Sequence, residues 1–178
     1  MQQPASIYLN PGELTIHETP VIVTTVLGSC VAITLFNQRT GLGAICHAML
    51  PHGGQEQNFR FVDHSLSYML AHFYRKGVRP GELQVKLFGG AEMFEPATAV
   101  RHRPSVGRQN IDTCLALLIN EGLMLRASCV GGNQGRKLLF YSHTGSVLTK
   151  KVPKNLPPAL VKDRRPRQIG PRNLAAGI

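Results

Sequence analysis

A thiol and an imidazole can together supply a nucleophile and its proton carrier, and one Cys/His pair in this chain has the spacing to meet. Cys30 follows the turn-forming Gly28-Ser29 and opens the β-branched run Val31-Ala32-Ile33-Thr34-Leu35-Phe36. His47 lies in a second such run, Gly43 to Leu50, and the polar stretch Asn37-Gln38-Arg39-Thr40-Gly41 between them reads as a hairpin loop. With Asn37 to Thr40 as the loop, Phe36 faces Gly41, and that register carries Cys30 directly opposite His47. Directly opposed residues hold their Cβ atoms about 4.5–5.5 Å apart on one face. That separation permits a thiolate–imidazolium pair, which draws a cysteine pKa below its usual value of about 8.5. Gly28 permits a tight or positive-φ turn, so the amides near Ser29 and Cys30 are candidates to bind a developing oxyanion.

The other chemistry-bearing residues are less well placed. Cys46, His47 and His52 could suggest a metal, but alternation along a strand points Cys46 away from the face His47 occupies. No metal and no cofactor are therefore expected. Cys114 and Cys129 fall on apolar faces and read as core. The glycine runs at 89–90 and 131–135 lack the Walker spacing and its trailing Lys-Ser/Thr, so they read as turns or points of close backbone approach.

Around this pair the chain offers the makings of one domain. Its 178 residues are 43% hydrophobic, enough to build a core, and no run approaches the ~18 apolar residues of a membrane span. The four cysteines contain no Cys-x-x-Cys pair, and the N-terminus lacks the pattern of a signal peptide. A cytoplasmic protein with reduced thiols is expected.

The net charge of +10 is concentrated at one end. Between 150 and 172 eight basic residues face the single acid Asp163, interleaved with Pro153, Pro157, Pro158, Pro166 and Pro171. We therefore divide the chain into a domain, 1–152, and a basic, proline-rich tail, 153–178. Solubilisation is the simplest role for such a tail; contact with an acidic partner or an anionic membrane surface is the alternative. The body has no helix-turn-helix, zinc-finger or aromatic RNA-binding pattern, so no specific nucleic acid is expected.

Hydrophobic periodicity supplies the elements that must position the pair. Leu14–His17 and Val21–Val26 read as strands before the hairpin. Val62, Leu66, Met69, Leu70 and Phe73 recur at helical spacing, with Gly77 as the stop. Leu83–Phe88 reads as a strand ending in Gly89-Gly90. A second helix carries Ile111, Leu115 and Leu118, capped by Asn110 or Asp112 and closed by Gly122. Leu123–Val130, Lys137–Ser142 and Val147–Val152 read as strands. Two helices and roughly eight strands in mixed order predict an α/β protein, a layered sandwich of mixed sheets and helices.

Several of these segments also resemble, in order, those of one known family. Val21-Ile22-Val23-Thr24-Thr25-Val26-Leu27-Gly28-Ser29-Cys30-Val31 is similar to the signature of the CheD chemoreceptor glutamine deamidases. His47-Ala48-Met49-Leu50-Pro51 resembles that family's histidine segment, and Phe61-Val62-Asp63 the start of its first long helix. Phe88-Gly89-Gly90-Ala91-Glu92-Met93-Phe94, Gly107-Arg108-Gln109-Asn110 and Gly131-Gly132-Asn133-Gln134-Gly135-Arg136 follow in order, then Thr144-Gly145 and Lys150-Lys151-Val152. The resemblance covers about residues 12 to 152.

The resemblance implies a fold similar to the deamidating cysteine toxins and a catalytic set of Cys30, His47 and Thr24. Spacing alone does not choose between Thr24 and Thr25; the resemblance chooses Thr24. It further implies hydrolysis of glutamine side chains to glutamate, through a thioester, on the cytoplasmic helices of methyl-accepting chemotaxis proteins. Docking to a CheC-type phosphatase and residence at chemoreceptor arrays are implied with it. The rival expectation is a noncatalytic chemotaxis adaptor that binds receptor or phosphatase.

Overall fold

Three strands carry the sequence features of interest: β3 (Val21–Leu27), β4 (Val31–Asn37) and β5 (Leu42–Ala48). They belong to a computed structural model that describes residues 4–93 and 104–153. Around them lie β1 (Ala5–Tyr8), β2 (Leu14–His17), β6 (Gln84–Gly89), β7 (Leu125–Val130), β8 (Arg136–Tyr141) and β9 (Ser146–Lys151). The helices are α1 (Val62–Arg75) and α2 (Val106–Asn120).

The strands form two mixed sheets, a five-stranded one in the order β2-β5-β4-β6-β7 and a four-stranded one in the order β1-β3-β8-β9. Alternation sorts the side chains of the five-stranded sheet into two cores. Val31, Ile33, Leu35, Ala44, Cys46 and Leu87 face the helices and pack on Leu66, Met69, Phe73, Cys114 and Leu118. Ala32, Ile45 and Phe88 face the other sheet and meet Val23, Leu27, Leu138 and Phe140. The result is three layers, helices on sheet on sheet. Covered on both sides, β4 and β5 are buried at every position, which is why both read as continuous apolar runs. The layered α/β sandwich expected from the sequence is the observed architecture.

Helix α1 buries the predicted stripe of Val62, Leu66, Met69, Leu70 and Phe73. Asp63 places negative charge at its N-terminus, and Gly77 ends it in the left-handed conformation at φ 71°. No helix among the described residues is long and apolar enough to cross a membrane.

Four expectations need correction. The hairpin loop is Gln38 to Gly41, because Asn37 still pairs with Leu42 and Gly41 supplies the positive φ, 69°, that closes the turn. Asn37 Oδ1 accepts from both Thr40 N and Thr40 Oγ1 and so fixes that loop. The register therefore sets His47 opposite Ala32, not opposite Cys30. Second, α2 begins at Val106, capped by Ser105, whose hydroxyl accepts from Arg108 N. Asn110 is thus inside the helix. Third, the short strand β1, parallel to β3, was not legible as a strand. Fourth, Cys129 is exposed, because β7 is the edge strand of its sheet; Cys114 is core, as expected. Of the basic tail, residues 154–178 lie outside the described residues.

Gly43 lies hard against the backbone at the end of β8. A Cβ there would lie 2.2 Å from the Ser142 carbonyl oxygen, and Ser142 is itself locked by bonds from Val21 N and to Thr19 O. Gly43→Ala should therefore destabilise the fold by about 1–3 kcal/mol, the usual range for overpacking. Gly81→Ala, where a Cβ meets nothing within 4 Å, should be near neutral. Denaturant unfolding of the two variants checks both values.

Candidate active site

Thr25 and His47 meet between the two sheets. In β3 the burial alternates, with Val21, Val23, Thr25 and Leu27 inward and Thr24 on the opposite, partly exposed face. Thr25 Oγ1 lies 2.8 Å from His47 Nδ1 and 2.8 Å from the Leu9 carbonyl oxygen. A hydroxyl has one proton, and the carbonyl can only accept. Thr25 thus donates to Leu9 and accepts from His47, which requires the proton of the neutral imidazole to sit on Nδ1. Nε2 is then the basic nitrogen, and it is buried without a hydrogen-bond partner among the described residues.

The threonine bonded to His47 is Thr25. Thr24, expected in that place, pairs in register with Tyr8 and Leu139 and turns its side chain away from the histidine. The physical reason is strand parity: His47 faces the four-stranded sheet, and only odd-numbered residues of β3 face back.

Cys30 lies in the turn between β3 and β4, partly buried against the inter-sheet core. The corrected register moves it two positions along from the residue opposite His47. A shift of two preserves the face, and Cys30 packs on the inter-sheet core that His47 also faces. Cys46, by contrast, points into the helix-side core, as its alternation predicted.

The turn is held by its carbonyls. Gly28 O accepts from Ala91 N at 2.8 Å and Cys30 O from Gly90 N at 2.8 Å. Ser29 O accepts from Asn110 Nδ2 at 3.2 Å. The N–H groups of Gly28, Ser29 and Cys30 donate no hydrogen bond to other described residues. With their carbonyls held by Ala91, Gly90 and Asn110, the turn residues have N–H groups that make no hydrogen bond to other described residues, as an oxyanion site needs. Gly89, at φ 101°, is needed for this contact, since a Cβ there would lie 2.2 Å from Cys30 O.

A cleft of about 520 Å³ adjoins the turn beyond Gly90, lined by Glu92, Arg108, Ile111 and the Gly131-Gly132-Asn133 turn. Arg136, buried in β8, donates to the carbonyls of Cys129 and Gly131 and so pins that second glycine turn. Sequence reasoning gave Arg136 no role and read Asn110 only as a candidate helix cap; both prove to be buried polar side chains that hold backbone carbonyls.

Burial sets the charge states. It pushes the Cys30 thiol above its ordinary pKa, partly offset by the residue's own N–H. It pushes the His47 imidazole down, against a smaller upward pull from the Leu9 carbonyl and Glu13. Both directions favour a neutral thiol beside a neutral imidazole, in place of the resting ion pair expected from the sequence.

A thiol, an imidazole held in one tautomer and a set of free turn amides are the parts of a thiol hydrolase on an α/β sandwich. The comparisons narrow that class. The model of the family described as CheD chemotactic sensory transduction matches residues 49–151, beginning just past His47. A Geobacter sulfurreducens protein named probable chemoreceptor glutamine deamidase CheD 2 is 49% identical over 146 residues, covering 82% of this chain and 89% of the relative. Proteins named probable chemoreceptor glutamine deamidase CheD from Maridesulfovibrio salexigens and Pseudomonas syringae pv. syringae are 40% and 34% identical. They cover 84% and 93% of this chain, and 94% and 96% of their own lengths. The chain belongs to the CheD family.

The tautomer is directly measurable. Nitrogen-15 shifts of His47 should report a neutral ring protonated at Nδ1. Thr25→Val, which keeps the shape and removes the acceptor, should shift the ring toward the Nε2-protonated form, while Thr24→Val should leave the spectrum unchanged.

Proposed function

We propose that this chain hydrolyses glutamine side chains of chemoreceptors to glutamate, with Cys30 as nucleophile, His47 as proton carrier and Thr25 as the group that orients the histidine. The observation that carries this reading is the hydrogen bond from His47 Nδ1 to Thr25, which leaves Nε2 as the basic nitrogen, without a partner among the described residues, on the same face as Cys30. As the substrate carboxamide enters, Nε2 takes the thiol proton and sulfur attacks the glutamine Cδ. The amides of Ser29 and Cys30 receive the oxyanion; one such donor is worth about 2.7–4 kcal/mol in other hydrolases. The C–N bond breaks, the imidazolium returns its proton to the departing nitrogen, and ammonia leaves a thioester. Nε2 then deprotonates a water that attacks the thioester, and sulfur regains its proton as glutamate is released. Every step uses groups already in the chain.

The Geobacter sulfurreducens relative carries a name that specifies chemoreceptor glutamine deamidation, and this reading extends it here. Within it, the substrates are the cytoplasmic helices of methyl-accepting chemotaxis proteins, and the chain works in the cytoplasm at receptor arrays with a CheC-type phosphatase as a docking partner. Mass spectrometry of a receptor fragment should show glutamine converted to glutamate by the wild-type chain. Cys30→Ala should abolish conversion without unfolding the protein. Binding of receptor without conversion would make the chain an adaptor and overturn the reading.

The pH profile follows from the two pKa directions. His47 must be neutral to act, and its lowered pKa keeps it so below the ordinary imidazole value of about 6.5. The raised thiol pKa keeps the transferable proton in place beyond the ordinary value of about 8.5. The kcat/KM should therefore be flat between those values, with its acid limb below 6.5. A profile centred on a narrow peak near pH 7 would contradict the neutral resting pair.

In this reading the tail from 153 to 178 is not needed for folding or catalysis, and any contact it makes with an acidic partner or an anionic membrane surface is electrostatic. A chain ending at Val152 should fold and deamidate an isolated fragment normally. Any loss of partner affinity should shrink as salt rises, which titrations at two ionic strengths measure.

A further inference from the structure

Asn110 occupies an unusual place for its chemistry. It lies in the second turn of α2, fully buried, with apolar Ile111 and Cys114 beside it in the helix-side core. Its Nδ2 donates to Ser29 O at 3.2 Å and to Met49 O at 2.9 Å. One amide nitrogen has two protons, and each is assigned to one carbonyl. Those carbonyls belong to the residue before Cys30 and to the second residue after His47. A single side chain thus bridges the turn that carries the thiol and the strand that carries the imidazole.

The rest of the helix supports that bridge. Gly107, three residues earlier on the same face, lets α2 touch the backbone of Gly90 and Ala91, where a Cβ would lie 2.7 Å from Gly90 O. Gly90 and Ala91 are the residues whose amides hold Cys30 O and Gly28 O. Meanwhile Asn110 Oδ1 is buried without a partner among the described residues. An apolar side chain would avoid that unpaired oxygen, so what the position gains from asparagine is its pair of donors. Aspartate would set carboxyl oxygens against two carbonyls, and alanine would release both.

We infer that Asn110 is a positioning residue, fixing the Cys30 turn relative to His47 through its two hydrogen bonds. The inference rests on the thiol-hydrolase reading above, and the experiment separates the two.

Asn110→Ala should lower kcat on a receptor fragment at least tenfold with KM within about twofold of wild type. Leu118→Ala, a cavity in the same helix away from these bonds, serves as the comparison. It should lower the unfolding temperature at least as much while kcat stays within twofold. Equal kcat losses in the two variants, or an unchanged kcat in Asn110→Ala, would overturn the inference. If Asn110→Ala does not fold, the wild-type protein still decides: both Asn110 side-chain amide protons should resist solvent exchange, and rapid exchange of either rejects the bridge. If wild-type chain fails to deamidate, the proposed function falls, and alkylation of Cys30 then reads the geometry alone. Its rate should change severalfold in Asn110→Ala and not in Leu118→Ala; the same rate in both rejects the positioning role.

Discussion

The site depends first on where three carbonyls point. Gly28, Ser29 and Cys30 lie between strands, where no ladder of backbone hydrogen bonds fixes their orientation. Their carbonyls are drawn instead to Ala91, Asn110 and Gly90. A peptide whose carbonyl is held one way aims the next residue's N–H the other way, since the unit is planar and trans. Fixing the carbonyls therefore fixes the amides, and with them the place where negative charge can be held. It also dictates glycine at position 89, whose positive φ and missing Cβ allow Cys30 O to approach.

His47 carries the energetic cost of this arrangement. An unpaired polar atom in a protein interior costs about 1–3 kcal/mol, and Nε2 has no partner among the described residues. The apolar packing on both faces of β4 and β5 offsets that cost elsewhere in the sandwich. Thr25 and Leu9 satisfy the opposite side of the ring, so the deficit is confined to one nitrogen. A second unsatisfied group on the same imidazole would also free the ring to flip. The hydroxyl is thus both a hydrogen-bond partner and the determinant of which nitrogen remains basic.

Much of this was legible in the chain. The helix-side stripe of α1, the hairpin and the turn at Gly28 follow from periodicity and from where glycine and polar residues cluster. What failed was register and parity. Asn37 and Gly41 both favour turns, and nothing local says that Asn37 stays paired while Gly41 closes the loop. In Val21–Leu27 both faces are β-branched or apolar, so the sequence does not reveal which of Thr24 and Thr25 faces inward. That choice is made by the opposing sheet, through contacts between β3 and strands distant in sequence. The α2 cap was misread for a related reason: Asn110 has cap-forming chemistry, but its partners are 81 and 61 residues away.

The neutral resting pair has a consequence for how such a site can be selective. A thiolate exposed to water reacts with oxidants and any accessible electrophile, whereas a protonated thiol is a poor nucleophile. Burial holds Cys30 in the protonated form and His47 in the basic one. Under the proposed mechanism, charge separation becomes favourable only when a substrate carbonyl is present, because the turn amides would stabilise the oxyanion that forms as the proton leaves sulfur. The amides are fixed before the substrate arrives, so they require no reorganisation at that moment. In that mechanism, reactivity is coupled to substrate binding by the same burial that favours the neutral thiol.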